Sequence, residues 1–310
     1  MMRRRLLAPT VAALLVATGA GCADQASGFG SDGRLDVVTA FYPLQFLSER
    51  VGADAVAVTQ LTKPGAEPHD VELNTRQVAE ISEAGLVVYL KGFQPAVDEA
   101  VAQEAKDKSL DVSTAVQLLP AEEHEEEHAA GEPEHTEGAT DPHVWLDPVR
   151  FAAIAGKLAE RLGQADPPRA AGYTERAATL QRELTALDAE YTKTLKSCAR
   201  REVVTSHTAF HYLADRYGLT EVGITGISPE SEPSPQRLAE VAELAKSTGT
   251  TTIFFETLVS PKVAETLARE VGARTAVLDP LEGLTEPDTD YFSVMRSNLT
   301  ALTTALGCTS

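Results

Sequence analysis

The sequence is poor in basic residues, in cysteine and in long hydrophobic runs. Its 310 residues include 27 Lys and Arg against 46 Asp and Glu, so the formal net charge is −19. A nucleic-acid-binding protein needs a basic face to neutralise phosphates, and this balance excludes that class. The apolar run at residues 6–17 is interrupted by a proline and a threonine and is too short for a membrane helix. The sequence has no GxSxG elbow and no phosphate-binding loop, which argues against common enzyme classes.

The N-terminus has the pattern of an export signal. Residues 1–21 contain three arginines, an apolar run and then small residues that lead to Cys22. We interpret 1–21 as a signal peptide and Cys22 as a lipidated cysteine that tethers the mature protein to a membrane. The alternative is plain secretion with an unmodified Cys22. Residues 22–33 are small and polar, which predicts a flexible lipidated tether.

After Cys22, two cysteines remain in the sequence, Cys198 and Cys308. An exported chain folds where disulfides persist, and an even number of cysteines suits one bridge. Such a bridge would close a loop of about 110 residues. The alternative is two free thiols, and the sequence leaves both open.

Strand-like and helix-like segments alternate on both sides of a long helical stretch. LDVVTA, AVAVTQL and GLVVYLKG read as strands in the first half; EVVTS, TEVGITG, TTIFFET and RTAVLDP do so in the second. This alternation predicts an α/β fold with two similar domains, each a parallel sheet flanked by helices. Apolar residues recur every three or four positions in the stretch between them, which predicts one long rigid backbone helix. The predicted ranges are 34–165 for the N-terminal domain, 166–197 for the linking helix and 198–310 for the C-terminal domain.

Residues 121–139 interrupt this alternation. They hold eight glutamates and three histidines, His124, His128 and His135, with no large apolar side chain. Such a composition cannot bury enough surface to offset chain entropy, so we predict a disordered loop. Its histidines are candidates for low-affinity metal binding, and the alternative is a solvated linker.

Four side chains of metal-ligand type lie near the predicted strand ends or the insert. His69 lies in the loop after AVAVTQL, His143 precedes WLDP, His207 follows EVVTS, and Asp279 follows TAVL. Ligands of parallel sheets gather at the carboxyl ends of the strands. Three imidazoles and one carboxylate suit tetrahedral zinc. Taken singly, each residue also has an ordinary structural explanation, a satisfied histidine or an aspartate in a turn.

Several longer motifs make the chain similar to a known family. They are KPGAEPHDVEL, DPHVWLDP, VTSHTAFHYLADRYGL, GISPESEPSPQRLAEV and IFFETLVSPKVAETLAREVGA leading to LDPLEGLT. In this order, over residues 35–306, they resemble the metal-binding components of bacterial zinc and manganese ABC importers. The resemblance implies two α/β domains joined by one long helix, with a metal in the cleft between them. It also implies His69, His143, His207 and Asp279 as the ligands.

The resemblance further implies a receptor rather than an enzyme. We expect a monomeric lipoprotein, at the outer face of the cytoplasmic membrane or in the periplasm, that delivers Zn²⁺ to an ABC permease and its ATPase. Manganese and iron members usually carry a glutamate where this chain has His207, so the imidazole favours zinc over manganese. The alternatives are a manganese or iron receptor of the same family and a metal-dependent surface adhesin.

Three further residues lie near the expected cleft. Glu256 ends the strand TTIFFE and is a candidate for orienting an imidazole ligand. Glu67, two residues before His69, is a candidate auxiliary ligand, with a solvated loop acid as the alternative. His211 could share a helical face with His207, but the resemblance places no ligand there, so we interpret it as a histidine on the helix surface.

Overall fold

The computed structural model of the protein describes residues 28–121, 139–286 and 288–309. The predicted signal peptide, Cys22 and the three histidines of the acidic insert lie outside these ranges, and the predictions made for them stay predictions. Within these ranges, no helix is both long and apolar enough to cross a membrane.

The first half of the chain forms a four-stranded parallel sheet. Its strand order is β2-β1-β3-β4, and it packs against α1 and α3. The two inner strands, β1 and β3, are largely buried, and β3 accordingly reads as a continuous apolar run, LVVY. The elements are β1 Leu35–Thr39, α1 Tyr42–Gly52, β2 Val56–Gln60, α2 Thr75–Glu83, β3 Leu86–Tyr89, α3 Pro95–Glu104, β4 Ser109–Asp111 and α4 Pro148–Ala165.

A long helix, α5 Ala170–Leu195, connects the two halves. Its 26 residues span about 39 Å at 1.5 Å per residue. The apolar residues at three- and four-residue steps form one buried stripe, and the helix packs along α4, α1 and α9. The predicted linking helix is therefore present, with its regular part inside the range 166–197.

The second half repeats the arrangement of the first. Its strand order, β6-β5-β7-β8, corresponds strand for strand to that of the first sheet, and all its pairings are parallel. The predicted fold class is confirmed, whereas the domain boundaries stay predictions. The elements are β5 Glu202–Thr205, α6 His211–Tyr217, β6 Thr220–Gly223, α7 Pro235–Thr248, β7 Thr252–Phe255, α8 Lys262–Val271, β8 Arg274–Val277 and α9 Tyr291–Leu306.

The main hydrophobic core runs without a break from the first sheet along α5 to α9. A smaller core lies between the second sheet and helices α7 and α8. Cys198, just after α5, is bonded to Cys308, just after α9. The predicted disulfide is thus confirmed, and it ties the end of the linking helix to the end of the chain.

Candidate metal centre

Four buried side chains converge on one point between the two halves. Each of His69, His143, His207 and Glu282 offers a ligand atom, and these atoms all lie within 4.8 Å of one another. The Nε2 atoms of His69, His143 and His207 lie 3.3, 3.1 and 3.2 Å from the same oxygen, Oε1 of Glu282. All four residues are buried. Three imidazoles therefore face one carboxylate oxygen in a site shielded from water.

The fold brings these residues together from four separate segments. His69 lies in the loop between β2 and α2, and His143 precedes a short 3₁₀ turn, Val144–Leu146. His207 follows β5, and Glu282 follows β8. Leu281, directly before Glu282, has a φ of +61°, a left-handed conformation that is uncommon for a leucine. This turn directs the Glu282 carboxylate towards the histidines.

The structure places Glu282 where the sequence suggested Asp279. The Asp279 carboxylate accepts hydrogen bonds from Thr257 Oγ1 at 3.0 Å and from the backbone N–H of Leu281 at 2.8 Å. It therefore shapes the turn that leads to Glu282 and is not a member of the converging group. Asp279 was the first acid after the strand, but its position before a proline is equally that of a turn former.

Two of the imidazoles are oriented from behind by buried carboxylates. His143 Nδ1 lies 2.8 Å from Asp141 Oδ1, which also accepts the His143 backbone N–H at 2.8 Å. His207 Nδ1 lies 2.8 Å from Glu256 Oε1. A carboxylate on Nδ1 fixes the ring so that Nε2 faces inwards. The placement of Glu256 agrees with its predicted orienting role, whereas sequence reasoning missed Asp141, two residues before His143 in the motif DPHVWLDP.

The two remaining candidates lie beside this group. Both Glu67 oxygens accept the backbone N–H of His69 at 3.0 Å, and Glu67 Oε1 is 3.9 Å from His69 Nε2. Burial raises the pKa of Glu67 to about 7. His211 Nδ1 lies 3.6 Å from Asp141 Oδ2, so His211 stands behind His143 and is not a member of the converging group.

The carboxylates set the charge of the site. Burial lowers the pKa of His143, but Asp141 and Glu282 outweigh it and raise the pKa to about 9. For His207 the negative charges of Glu256 and Glu282 likewise overcome burial, and its pKa lies well above 6.5. Burial acts to raise the pKa of Glu282, but the histidines hold it well below 4.5. Burial lowers the pKa of His69. Before any metal binds, the carboxylates therefore favour the protonated forms of His143 and His207, and the histidines favour the ionised form of Glu282.

The chain matches known proteins over almost its whole length. The family model described as zinc-uptake complex component A, periplasmic, matches residues 37–305. The chain belongs to the ZnuA family. The resemblance noted from its motifs is thereby confirmed. A ZnuA-family relative, the high-affinity zinc uptake system protein ZnuA of Bacillus subtilis (strain 168), is 36% identical over an alignment of 301 residues, and the match covers 94% of each chain.

A second relative is longer than this ZnuA-family chain. The zinc-binding lipoprotein AdcA of Streptococcus pneumoniae serotype 4 is 38% identical over 306 residues. The match covers 96% of this chain and 59% of AdcA, so the chain spans little more than half the length of that relative.

Solved structures of similar proteins share the fold. The Zn(II)-bound ZnuA-like domain of Streptococcus pneumoniae AdcA has a TM-score of 0.74 and 35% identity, and the match covers 88% of this chain and 99% of that one. The laminin-binding protein Lmb of Streptococcus agalactiae, described as bifunctional with adhesin and metal transporting activity, has a TM-score of 0.78 and 34% identity. That match covers 87% of this chain and 99% of Lmb. These likenesses support the two-sheet ZnuA-type architecture.

Proposed function

We propose that this chain is the zinc receptor of an ABC importer and that His69, His143, His207 and Glu282 bind Zn²⁺ as its cargo. The observation that carries the proposal is the convergence of three Nε2 atoms on Oε1 of Glu282. A tetrahedral zinc ion with ligand distances of about 2.0–2.2 Å separates its ligand atoms by about 3.3–3.6 Å. The three separations of 3.3, 3.1 and 3.2 Å are close to that spacing. Small outward shifts therefore suffice to admit the ion.

The proposed receptor works outside the cytoplasmic membrane. The predicted signal peptide and Cys22 support export and a lipid anchor, and the relative AdcA is named a lipoprotein. The proposed partners are an ABC permease and its ATPase, with the chain acting as a monomer. We keep the domain ranges 34–165, 166–197 and 198–310, which the two sheets and α5 support.

Binding rather than catalysis is the proposed role of the site. Four protein ligands complete a tetrahedral zinc ion and leave no position for a reacting water. Residues 124–128 read HEEEH, which fits the letters of the zinc-protease pattern HExxH. That pattern needs a packed helix with both histidines on one face, and residues 121–139 contain no large apolar side chain to pack such a helix. We therefore propose that these histidines bind metal only with low affinity. Ordering the backbone of the insert around a metal would cost about 1–2 kcal/mol per residue.

The metal preference tests the proposal directly. In a competition titration of the lipid-free protein, we expect zinc to bind one tight site and to exclude manganese. The substitution His207→Glu replaces a nitrogen donor with a harder oxygen donor and should narrow the preference for zinc by at least about tenfold. The matched variant His128→Glu lies in the acidic insert and should leave the preference unchanged. A wild-type protein that prefers manganese would overturn the zinc assignment.

Zinc binding should weaken as the pH falls. The nearby carboxylates raise the pKa of His143 to about 9 and raise that of His207, so they favour a proton on each ring that zinc must displace from Nε2. Lower pH therefore favours the competing proton, and the loss begins above the ordinary histidine pKa of about 6.5. We expect at least a tenfold loss of affinity per pH unit between pH 8 and 6, measured by chelator competition. Calorimetry in buffers of different ionisation enthalpy should detect proton release at pH 7; an affinity independent of pH would contradict this assignment.

The adhesin alternative has support from one relative. Lmb is described as both adhesin and metal transporter, and that description concerns Lmb alone. Host-protein binding by this chain that survived substitution of the metal-site histidines would favour the adhesin role. Binding of zinc without binding of host protein would favour the receptor role.

A further inference from the structure

The segment that carries His143, residues 141–147, is attached to the opposite half of the molecule on both sides of His143. We call residues 141–147 the His143 segment. Although it precedes α5 in sequence, three hydrogen bonds on either side of His143 join it to residues that follow α5. These hydrogen bonds are Tyr212 Oη to the Asp141 carbonyl, Trp145 Nε1 to the Pro280 carbonyl and Tyr291 Oη to the Trp145 carbonyl, each 2.7 Å long. Arg216 adds an ion pair to Asp147 at 3.3 Å.

Towards the first half, the last residue of the segment, Asp147, caps α4 and pairs with Arg150 at 2.7 Å, whereas the part around His143 makes mainly apolar contacts. The Trp145 ring lies 4.9 Å from the ring of Phe41 and 5.6 Å from that of Phe93, measured between centroids. The Asp141 backbone N–H donates to Leu119, but the Leu119 N–H in turn donates to Tyr212 Oη. Apolar contacts are non-directional, whereas hydrogen bonds fix orientation. The bonds nearest His143 therefore tie its position to the second half, which also carries His207 and Glu282.

His69 is held differently. Its loop is fixed by Gln94, whose Nε2 donates to the Pro68 carbonyl at 2.9 Å, and by Glu67, which accepts the His69 N–H. The His69 ring packs on Phe93, with centroids 4.6 Å apart. All of these residues precede α5. Among the described residues, the polar contact recorded between His69 and the second half is the one to Glu282, the group that zinc would bind.

We propose that His143, His207 and Glu282 form a preassembled three-ligand face, and that His69 is the closing ligand supplied by the first half. Tyr212, Trp145 and Tyr291 are the positioning residues of this face. The inference rests on the proposed function, because it divides the roles of the proposed zinc ligands. A relative movement of the two halves then changes the distance from His69 to zinc while the other three ligands stay together.

A matched pair of ligand substitutions tests the division. His69→Ala and His143→Ala each remove one imidazole, so the lost metal–nitrogen bond is chemically the same. We expect His69→Ala to bind zinc at least about tenfold more tightly than His143→Ala, because its three remaining ligands are already in place. The measurement is zinc titration against a chelator, with the fluorescence of Trp145, the chain's single tryptophan, as a second signal. Equal affinities, or the reverse order, would overturn the inference.

The positioning residues are tested by removing hydroxyls alone. The double variant Tyr212→Phe/Tyr291→Phe should release zinc about tenfold faster, measured with excess chelator. Tyr173→Phe is the matched control, because its buried hydroxyl bonds the Asp166 carboxylate, which precedes α5, and it should change the rate less than twofold. When it is combined with His143→Ala, the double variant should not change the rate of zinc release further. When it is combined with His69→Ala, it should still raise that rate about tenfold. If the double variant raised the release rate equally in the His143→Ala and His69→Ala proteins, the two tyrosines would have a merely structural role.

These measurements separate the two levels of inference. If the wild-type protein binds no zinc tightly, the proposed function fails. If it binds zinc tightly but the two alanine variants are equal, the receptor function stands and the three-ligand face is wrong.

Discussion

Replacing Glu282 with glutamine is expected to lower zinc affinity by at least about 100-fold. Glu282 is the single carboxylate of the converging group, and its Oε1 is the atom on which the three Nε2 atoms converge. An amide keeps the shape of the side chain but loses the negative charge that a zinc ligand supplies. The loss corresponds to about 3 kcal/mol of binding free energy. Chelator-competed zinc titration measures it.

The matched control for Glu282→Gln is Asp279→Asn. An asparagine at 279 keeps an oxygen that can accept the Leu281 N–H, the bond that shapes the turn before Glu282. We therefore expect this variant to change zinc affinity less than tenfold. A larger loss for Asp279→Asn than for Glu282→Gln would restore the ligand set that the sequence motifs suggested.

The variant Cys198→Ser/Cys308→Ser is expected to lose up to about 4–5 kcal/mol of unfolding free energy. The disulfide joins residues 110 apart, and the chain-entropy model assigns a stabilisation of that size to a loop of this length. Around the bond, the backbone N–H of Thr309 donates to Ser197 and that of Arg200 donates to Leu306, so the native contacts do not depend on the bond alone. The variant should therefore fold, with a lower denaturant midpoint.

Reduction of the wild-type protein provides the comparison for the disulfide variant. Reduced wild type should unfold at the same denaturant concentration as the double serine variant. Zinc affinity should stay within about twofold in both, because neither cysteine lies in the metal group. An unchanged midpoint after complete reduction would show that the loop is equally constrained without the bond.

The sequence predicted three of the four proposed ligands because each histidine lies after a predicted strand or at the end of the acidic insert. His69 follows a strand by a loop, His207 follows a strand directly, and His143 begins the ordered segment after the acidic insert. The carboxylate was harder to assign because LDPLEGLT offers two acids three residues apart. Which of the two acids faces the histidines depends on the turn between them. In that turn Leu281 adopts a left-handed conformation, which a leucine in the sequence does not predict. Asp141 was missed because its role depends on a side-chain contact.

The fold was largely predictable because its strands are short apolar runs and its helices carry apolar stripes. The last helix, α9, was not predicted, although Phe292, Met295, Leu299, Leu302 and Leu306 recur at helical spacing within it. The attachment of the His143 segment to the second half was not predictable. It depends on hydrogen bonds between residues that are 71 to 146 positions apart in the sequence. Local sequence patterns do not predict such bonds.

The strained turn before Glu282 links the accuracy of the site to the stability of the whole protein. Leu281 is fully buried, and its left-handed backbone costs about 1–2 kcal/mol, which the packing of its side chain in the main core offsets. The packing of Leu281 in that core and the hydrogen bond from its N–H to Asp279 together hold this conformation. Loosening of the core, by heat or by a distant cavity-forming substitution, lets the turn relax and moves the carboxylate away from the histidines. The protein should therefore release its cargo before it unfolds, so that zinc retention reports on the integrity of the core.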